Sequence, residues 1–282
     1  MDGAAAGTIL LLGAGPRAEA ARALLHQAFP GARLADVVPS REALAEGSAA
    51  PPAWFVLVDP VPFGGVPTGE LSADLLRAEA LRAVFALELA RRAARTLVLD
   101  GDAAGWPAVL QRAQPGLPAD LALHDGPAAP VSLVEGASPV RTYLAPLWRA
   151  AAPGRAPALV WARDAFLDGD APGEVLPELI EVAGRARIVA YGPYLPLPAG
   201  AWKATAWLGF SPDIGRLPFI LEVDSGGNVA RGFFEAERGG FFSLELDFHV
   251  ADPLHPLELR LITQDSALEG QAALIEVRLD PL

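Results

Sequence analysis

The chain has no cysteine, which excludes disulfides, thiolate metal sites and cysteine nucleophiles and leaves the redox compartment open. Lysine is nearly absent as well, since Lys203 is the only one. With 22 basic residues against 34 acidic ones the net charge is −12, which argues against nucleic acid or an anionic membrane surface as the main partner. No apolar run is long enough for a membrane span, and no basic residue precedes the short run Ile9 to Leu12 near the start. A soluble cytoplasmic protein is therefore the expectation. Histidine is scarce and scattered: His26, His124, His249 and His255 form no metal-ligand spacing, and HExxH, GxSxG and P-loop patterns are missing. No catalytic and no metal-binding residue is named on these grounds, and enzyme status stays open.

What the sequence does contain is apolar residue content of 52%, punctuated by 27 prolines and 28 glycines. This composition is too hydrophobic for global disorder and implies a folded chain with many loops. At 282 residues, two domains of ordinary size are expected. The two halves differ. Before about residue 150 there are 12 basic and 15 acidic residues, and after it 10 and 19, so the halves carry −3 and −9. Thirteen of the 21 aromatic residues follow Arg155, which favours a β-rich second half.

The first half alternates short apolar runs with longer amphipathic stretches. Strands are expected at Thr8 to Leu12, Leu34 to Val38, Trp54 to Val58 and Thr96 to Leu99. Helices are expected at about Pro16 to Phe29, Ser72 to Arg95 and Trp106 to Ala113. A further strand at Val131 to Val134 and a helix at Pro139 to Trp148 complete the reading, and Ala150 to Pro157 reads as a linker. Alternating strand and helix at this spacing predicts a parallel sheet covered by helices, a Rossmann-like α/β domain over residues 1–150.

In the second half the period is two. Trp202, Ala204, Ala206, Leu208 and Phe210 share one face, as do Phe242, Leu244, Leu246, Phe248 and Val250, and again Leu257, Leu259 and Leu261. Turn signals at Ser225 to Asn228, Gly239-Gly240 and Asp252-Pro253 separate these runs. Antiparallel strands with one buried face follow, packed as a β-sandwich over residues 151–282.

Four patterns bear on chemistry. Gly13-x-Gly15-x-x-Ala18, between a strand and a helix, with Asp36 near the end of the next strand, has the arrangement of a dinucleotide-binding turn. In that arrangement glycines admit a pyrophosphate and the acid takes ribose hydroxyls, so Gly13, Gly15, Ala18 and Asp36 are the candidate cofactor residues. A nucleotide, a nucleotide sugar or S-adenosylmethionine would suit this turn equally, and no specific cofactor is selected. Asp59 and Asp100 follow apolar strands and could meet at the carboxyl edge of the sheet, where simple solvation is the preferred account. The acids Asp164, Asp168, Asp170 and Glu174 lack the regular alternation of a calcium loop and read as a solvated entry loop.

The fourth pattern runs from Gly192-Pro193-Tyr194 through Pro196-Leu197-Pro198 and Gly200 to Trp202. It continues with Pro218-Phe219 to Val223, the Leu257 to Arg260 strand and the Leu268-Glu269-Gly270 turn. This stretch, about Arg187 to Leu279, resembles the jelly-roll, carbohydrate-binding-like β-sandwich modules found beside bacterial glycosyltransferase and polysaccharide-biosynthesis domains. The resemblance implies a C-terminal jelly roll and a glycan-binding role.

A sugar site needs aromatic faces to stack on pyranose C–H surfaces and polar side chains to take hydroxyls. Trp207 with Tyr191 or Tyr194 is the expected platform, and Asp247, His249, Arg260 and Gln264 are the expected polar partners, because all alternate away from the apolar core positions. The leading expectation is a non-catalytic or accessory protein of bacterial polysaccharide or glycoconjugate metabolism, binding a glycan or a protein. A nucleotide-dependent enzyme using the Gly13 to Ala18 turn and an oligomeric structural assembly protein are the alternatives.

Overall fold

In the computed structural model, residues 7–13, 15–49, 52–58, 73–99, 103–115, 117, 143, 146–147, 150, 156–227 and 229–282 are described. They divide into two compact units. The first comprises 1–76, 85–136 and 147–155, and the second 77–84, 137–146 and 156–282. Segments 77–84 and 137–146 thus group with the second unit, where the sequence reading drew one boundary at residue 150.

The first unit holds a four-stranded sheet of β1 (Thr8–Leu12), β2 (Arg33–Asp36), β3 (Trp54–Val58) and β4 (Arg95–Leu99) in the order β2-β1-β3-β4. Every pairing is parallel, as α/β alternation requires. Helix α1 (Gly15–Ala28) follows β1, α2 (Arg41–Ala49) follows β2, and α4 (Trp106–Ala113) follows β4. Ile9 and Leu11, Val56 and Val58, and Leu97 and Leu99 project from one sheet face into a core with Leu24 and Leu25 of α1 and Trp106 and Leu110 of α4. Phe55 and Leu57, which alternate to the other face, are fully buried too, so the central strand is covered on both sides. This architecture is compatible with a Rossmann-like domain.

Helix α3 (Ala73–Ala90) stops well before Arg95, the end expected from periodicity. The Arg91 and Ala93 N–H groups close its last turn on the Leu87 and Leu89 carbonyls, and Arg95 already belongs to β4. Charged residues at the end of an amphipathic helix and at the start of a strand look alike in sequence. Helix α2 was not expected, yet its start is signalled by Ser40, whose hydroxyl accepts the Ala43 N–H at 3.0 Å as an N-cap. The expected elements at Val131 to Val134 and Pro139 to Trp148 lie wholly or mostly outside the described residues, as do Asp59, Asp100 and His124.

In the second unit two five-stranded antiparallel sheets carry the fold. One contains β5 (Leu159–Ala162), β9 (Gly200–Phe210), β12 (Gly240–Val250) and β14 (Gln271–Pro281), in the order β12-β9-β14-β5, with β7 (Ile180–Glu181) also on β14. The other runs β11-β10-β13-β8-β6, from β11 (Val229–Glu235), β10 (Pro218–Asp224), β13 (Pro256–Thr263), β8 (Ile188–Pro196) and β6 (Leu167–Asp168). From β8 onward the chain passes repeatedly between the sheets, and only β10 and β11 form a hairpin within one sheet.

The period-two pattern is met residue by residue. Trp202, Ala204, Ala206, Leu208 and Phe210 of β9 are buried, as are Leu257, Leu259 and Leu261 of β13. Phe210 meets Phe219 of the facing sheet at 5.1 Å between ring centroids, which fixes these as the two inner faces of a sandwich. The Trp202 indole N–H donates to the Pro198 carbonyl at 2.8 Å, so this buried donor is satisfied and anchors the Pro-rich entry to the core. Gly192 to Pro196 form the second half of β8, with a cis Gly192–Pro193 peptide and Tyr194 at φ 60°.

Candidate functional site

Alternation in β9, β12 and β14 produces an outward sheet face whose rows can be read from strand register. Phe241 of β12 lies opposite Gly209 of β9, and Ala273 of β14 follows. The next row is Ser243, Trp207 and Glu276, then Glu245, Thr205 and Arg278, then Asp247, Lys203 and Asp280. His249 stands opposite Ala201 at the far end.

Two aromatic side chains stand in solvent on this face. Trp207 is 44% exposed and Phe241 79%. Alternation places both outward, since their neighbours Leu208 and Phe242 take the inner face. Phe241 and Trp207 are diagonal neighbours across the β9–β12 pair, a separation that aromatic rings bridge. Gly209 shapes the platform. A side chain there would meet the Phe241 ring at 3.3 Å, so the ring rests over bare backbone. A register shift in β14 between Leu274 and Glu276, the partners of Leu208 and Trp207, leaves Ile275 between them 43% exposed.

Charges frame the platform. Lys203 donates to Glu245 at 2.7 Å, and the Arg278 guanidinium reaches both oxygens of Asp280 at 2.8 to 3.0 Å. Both cations hold their protons above their ordinary range: Lys203 through its hydrogen bond to Glu245 with Asp247 and Asp280 adding to the field, Arg278 through its hydrogen bonds to Asp280 with Glu276 adding to it. Asp247 and Glu276 form no ion pair among the described residues. The face therefore has a negative excess of two carboxylates.

The seven expected ligand residues do not converge. Trp207, Asp247 and His249 share the face just described. Tyr191, Tyr194 and Arg260 belong to β8 and β13, on the outward side of the opposite sheet, and Gln264 is exposed just beyond β13. Tyr191 and Tyr194 meet edge to face at 6.1 Å, and the Arg77 guanidinium lies 5.3 Å from the Tyr194 ring centre. On that side Arg231, Glu222, Arg260 and Tyr191 form one transverse row.

Glu222, only 4% exposed, accepts from Arg231 at 2.5 Å and from Arg260 at 2.7 Å. Burial pushes its carboxyl up, but the two guanidiniums outweigh burial and hold it below its ordinary value. Arg260 also donates to Glu258, which takes the Tyr194 hydroxyl at 2.8 Å. Burial, reinforced by Glu258, pushes the Tyr194 phenol up to about 12. This second cluster spends its donors and acceptors on itself. It braces the sheet, and Arg260 and Tyr194 have their polar groups engaged there.

In the glycine turn of the first unit the small residues serve close packing. A side chain on Gly13 would stand 3.0 Å from both Ala18 and Val58, so the glycine is needed for close packing of β1, α1 and β3. Ala18 is buried in that contact, Gly15 opens α1, and Ala14 lies outside the described residues. Asp36 is exposed at the end of β2, where Arg22 donates to both its oxygens at 2.5 and 2.6 Å. The acid that a ribose would need is thus already bonded. In the entry loop Asp170 takes Arg187 at 2.7 and 2.9 Å, and Asp168 caps the Asp170 N–H at 2.8 Å. Among the described residues no acidic or histidine group is arranged to hold a metal ion, and no helix is long and apolar enough to cross a membrane.

The residues that sequence reasoning missed are Phe241, Ile275, Glu276 and the pairs Lys203–Glu245 and Arg278–Asp280. Phe241 was within reach: extending the alternation of Ser243, Glu245, Asp247 and His249 by one step puts it outward. Ile275 was not, because the β14 register shift exposes it without any mark in the sequence.

No protein-family model matches the chain, and no curated protein sequence matches it significantly. Among solved structures it is similar to TmCBM61, determined with β-1,4-galactotriose, at 12% identity and a TM-score of 0.30, over 45% of this chain and 89% of that one. The K1 adhesin domain of Lys-gingipain from Porphyromonas gingivalis W83 matches at 11% identity and TM-score 0.30, over 44% and 98%. The CBM35 domain of Abf62 from Cellvibrio japonicus matches at 12% and 0.27, over 44% and 92%. At these identities and TM-scores none of the likenesses bears on what this chain binds.

Proposed function

We propose that the second unit is a glycan-binding module and that its binding surface is the outward face of the β12-β9-β14 sheet. The observation that carries this reading is the pair Trp207 and Phe241, held in solvent side by side on a rigid sheet, with Phe241 laid over Gly209. Aromatic faces on an unbending support stack on the C–H face of a pyranose with little ordering cost. Ser243 stands opposite Trp207, with Thr205 and Glu245 in the next outward row and Lys203 in the row after that, and these supply hydroxyl, carboxylate and ammonium partners for sugar hydroxyls.

The size of the patch separates this reading from a protein interface. Three exposed apolar side chains ringed by charges fall far short of the roughly 800 Å² per partner of a stable protein–protein contact, whereas they suit a short run of sugar rings. The reading is of a non-catalytic role in polysaccharide or glycoconjugate metabolism; among the described residues the Glu222–Arg231–Arg260–Glu258 and Arg22–Asp36 groups are bonded to one another. It is tested by passing the purified full chain over immobilised oligosaccharides. Retention is expected, and Trp207→Ala should abolish it with the melting temperature unchanged. Retention unaltered by Trp207→Ala removes this surface as the site.

A further inference from the structure

The charge frame around the platform says what kind of glycan it takes. Four carboxylates, Glu245, Asp247, Glu276 and Asp280, share the face with two cations, and each cation is already bonded to one of the acids. Glu276 is in register with Trp207 itself, and Asp247 is in the row of Lys203, four residues along β9. Those rows lie about 13 Å apart at the rise of a strand, so an oligomer running along β9 meets both surplus acids while one end lies on the rings. The faces of Trp207 and Phe241 add their own attraction for positive charge. A uronate or sulfated sugar would set its anion against this excess with no uncommitted cation to receive it.

We infer that the platform takes a glycan bearing free amino groups, a polymer of 2-amino-2-deoxyhexose with its nitrogens protonated, in preference to the N-acetylated or neutral polymer of the same linkage. The inference rests on the glycan-binding reading above. In the complex one ammonium lies against Glu276 while its ring stacks on Trp207, and a second, farther along the oligomer, reaches Asp247. Acetylation removes the charge and leaves the stacking, so the N-acetyl form binds through the rings alone. Surface ion pairs of this kind contribute modestly, so each acid is expected to improve affinity about two- to fivefold.

The test compares β-1,4-linked glucosamine hexamer, N-acetylglucosamine hexamer, cellohexaose and a galacturonate hexamer by titration calorimetry against the full chain at pH 6 and low salt. The glucosamine hexamer should bind about five- to tenfold tighter than the N-acetyl hexamer or cellohexaose, and the galacturonate hexamer should not bind. Glu276→Gln with Asp247→Asn should erase the preference by weakening the glucosamine hexamer to the affinity of the N-acetyl hexamer. Added salt should weaken the glucosamine hexamer alone. Equal affinity for the charged and neutral hexamers, or binding of galacturonate, overturns the inference and leaves the glycan-binding reading standing. Binding of none of the four, with retention of a lysine-rich peptide instead, overturns both.

Discussion

Replacing Glu222 by glutamine removes one negative charge from the centre of the β11-β10-β13 face while keeping side-chain shape. Its two carboxylate oxygens accept from Arg231 and Arg260, and a charge-assisted hydrogen bond contributes about 1.5–3 kcal/mol. The Arg231 side chain is 55% exposed, so solvent screens its share to below about 1 kcal/mol, whereas Arg260, at 26%, keeps most of its value. Glutamine retains an oxygen acceptor but turns an amide toward a guanidinium. The expected loss is about 2 kcal/mol, roughly a thirtyfold change in the unfolding equilibrium.

The sign with pH follows from the direction of the shift. The Glu222 carboxyl titrates below 4.5 in the folded chain and near 4.5 when unfolded. It therefore stabilises the fold fully above the unfolded value, and this contribution drains away as acid takes the pH down through the folded value. Urea unfolding followed by tryptophan fluorescence should show the deficit of Glu222→Gln at pH 7 and its disappearance as the pH falls well below 4.5. A variant as stable as the wild type at pH 7, or a deficit that survives undiminished in acid, refutes the reasoning.

Two further substitutions probe the sandwich. Gly226 sits at φ +77° in the turn after β10, where Asp224 accepts the N–H groups of Gly226 and Gly227 at 3.1 and 3.2 Å, and a side chain there would lie 2.9 Å from the His255 ring. Gly226→Ala should lower stability by about 1–3 kcal/mol in the same urea assay, and a neutral result would mean that this turn is not held in that conformation. Trp202→Phe leaves the Pro198 carbonyl without its indole donor in a buried setting and should lower stability by about 1–3 kcal/mol. A loss below 0.5 kcal/mol, on the order of surface substitutions, would show that water replaces the indole there.

How far the sequence spoke can be followed in β9 and in the glycine turn. In β9 every second residue from Trp202 to Phe210 is buried, so one alternation gave strand, inner face and the outward place of Trp207 together. The same rule placed Asp247 and His249 beside it, since β12 pairs with β9 along its whole length. It could not say which sheet β8 and β13 would join, and so Tyr191, Tyr194 and Arg260 were grouped with residues that lie across the sandwich. Period two fixes which side of a strand a residue faces but carries no information on strand order. In the first unit, Gly13 and Ala18 were recognisable as a turn between strand and helix. Their small size serves packing against Val58, and Arg22, one turn of α1 beyond Ala18, gave no sign in sequence that it would take Asp36.

The claim that matters most is that one sheet face, and not the other, receives the glycan. Retention on the immobilised oligosaccharides is best compared for the wild type, Trp207→Ala and Tyr191→Ala, which remove an aromatic ring from opposite sides of the same sandwich. The account predicts that Trp207→Ala is lost to the wash while Tyr191→Ala is retained like the wild type. The reverse order, or equal losses for both, contradicts it.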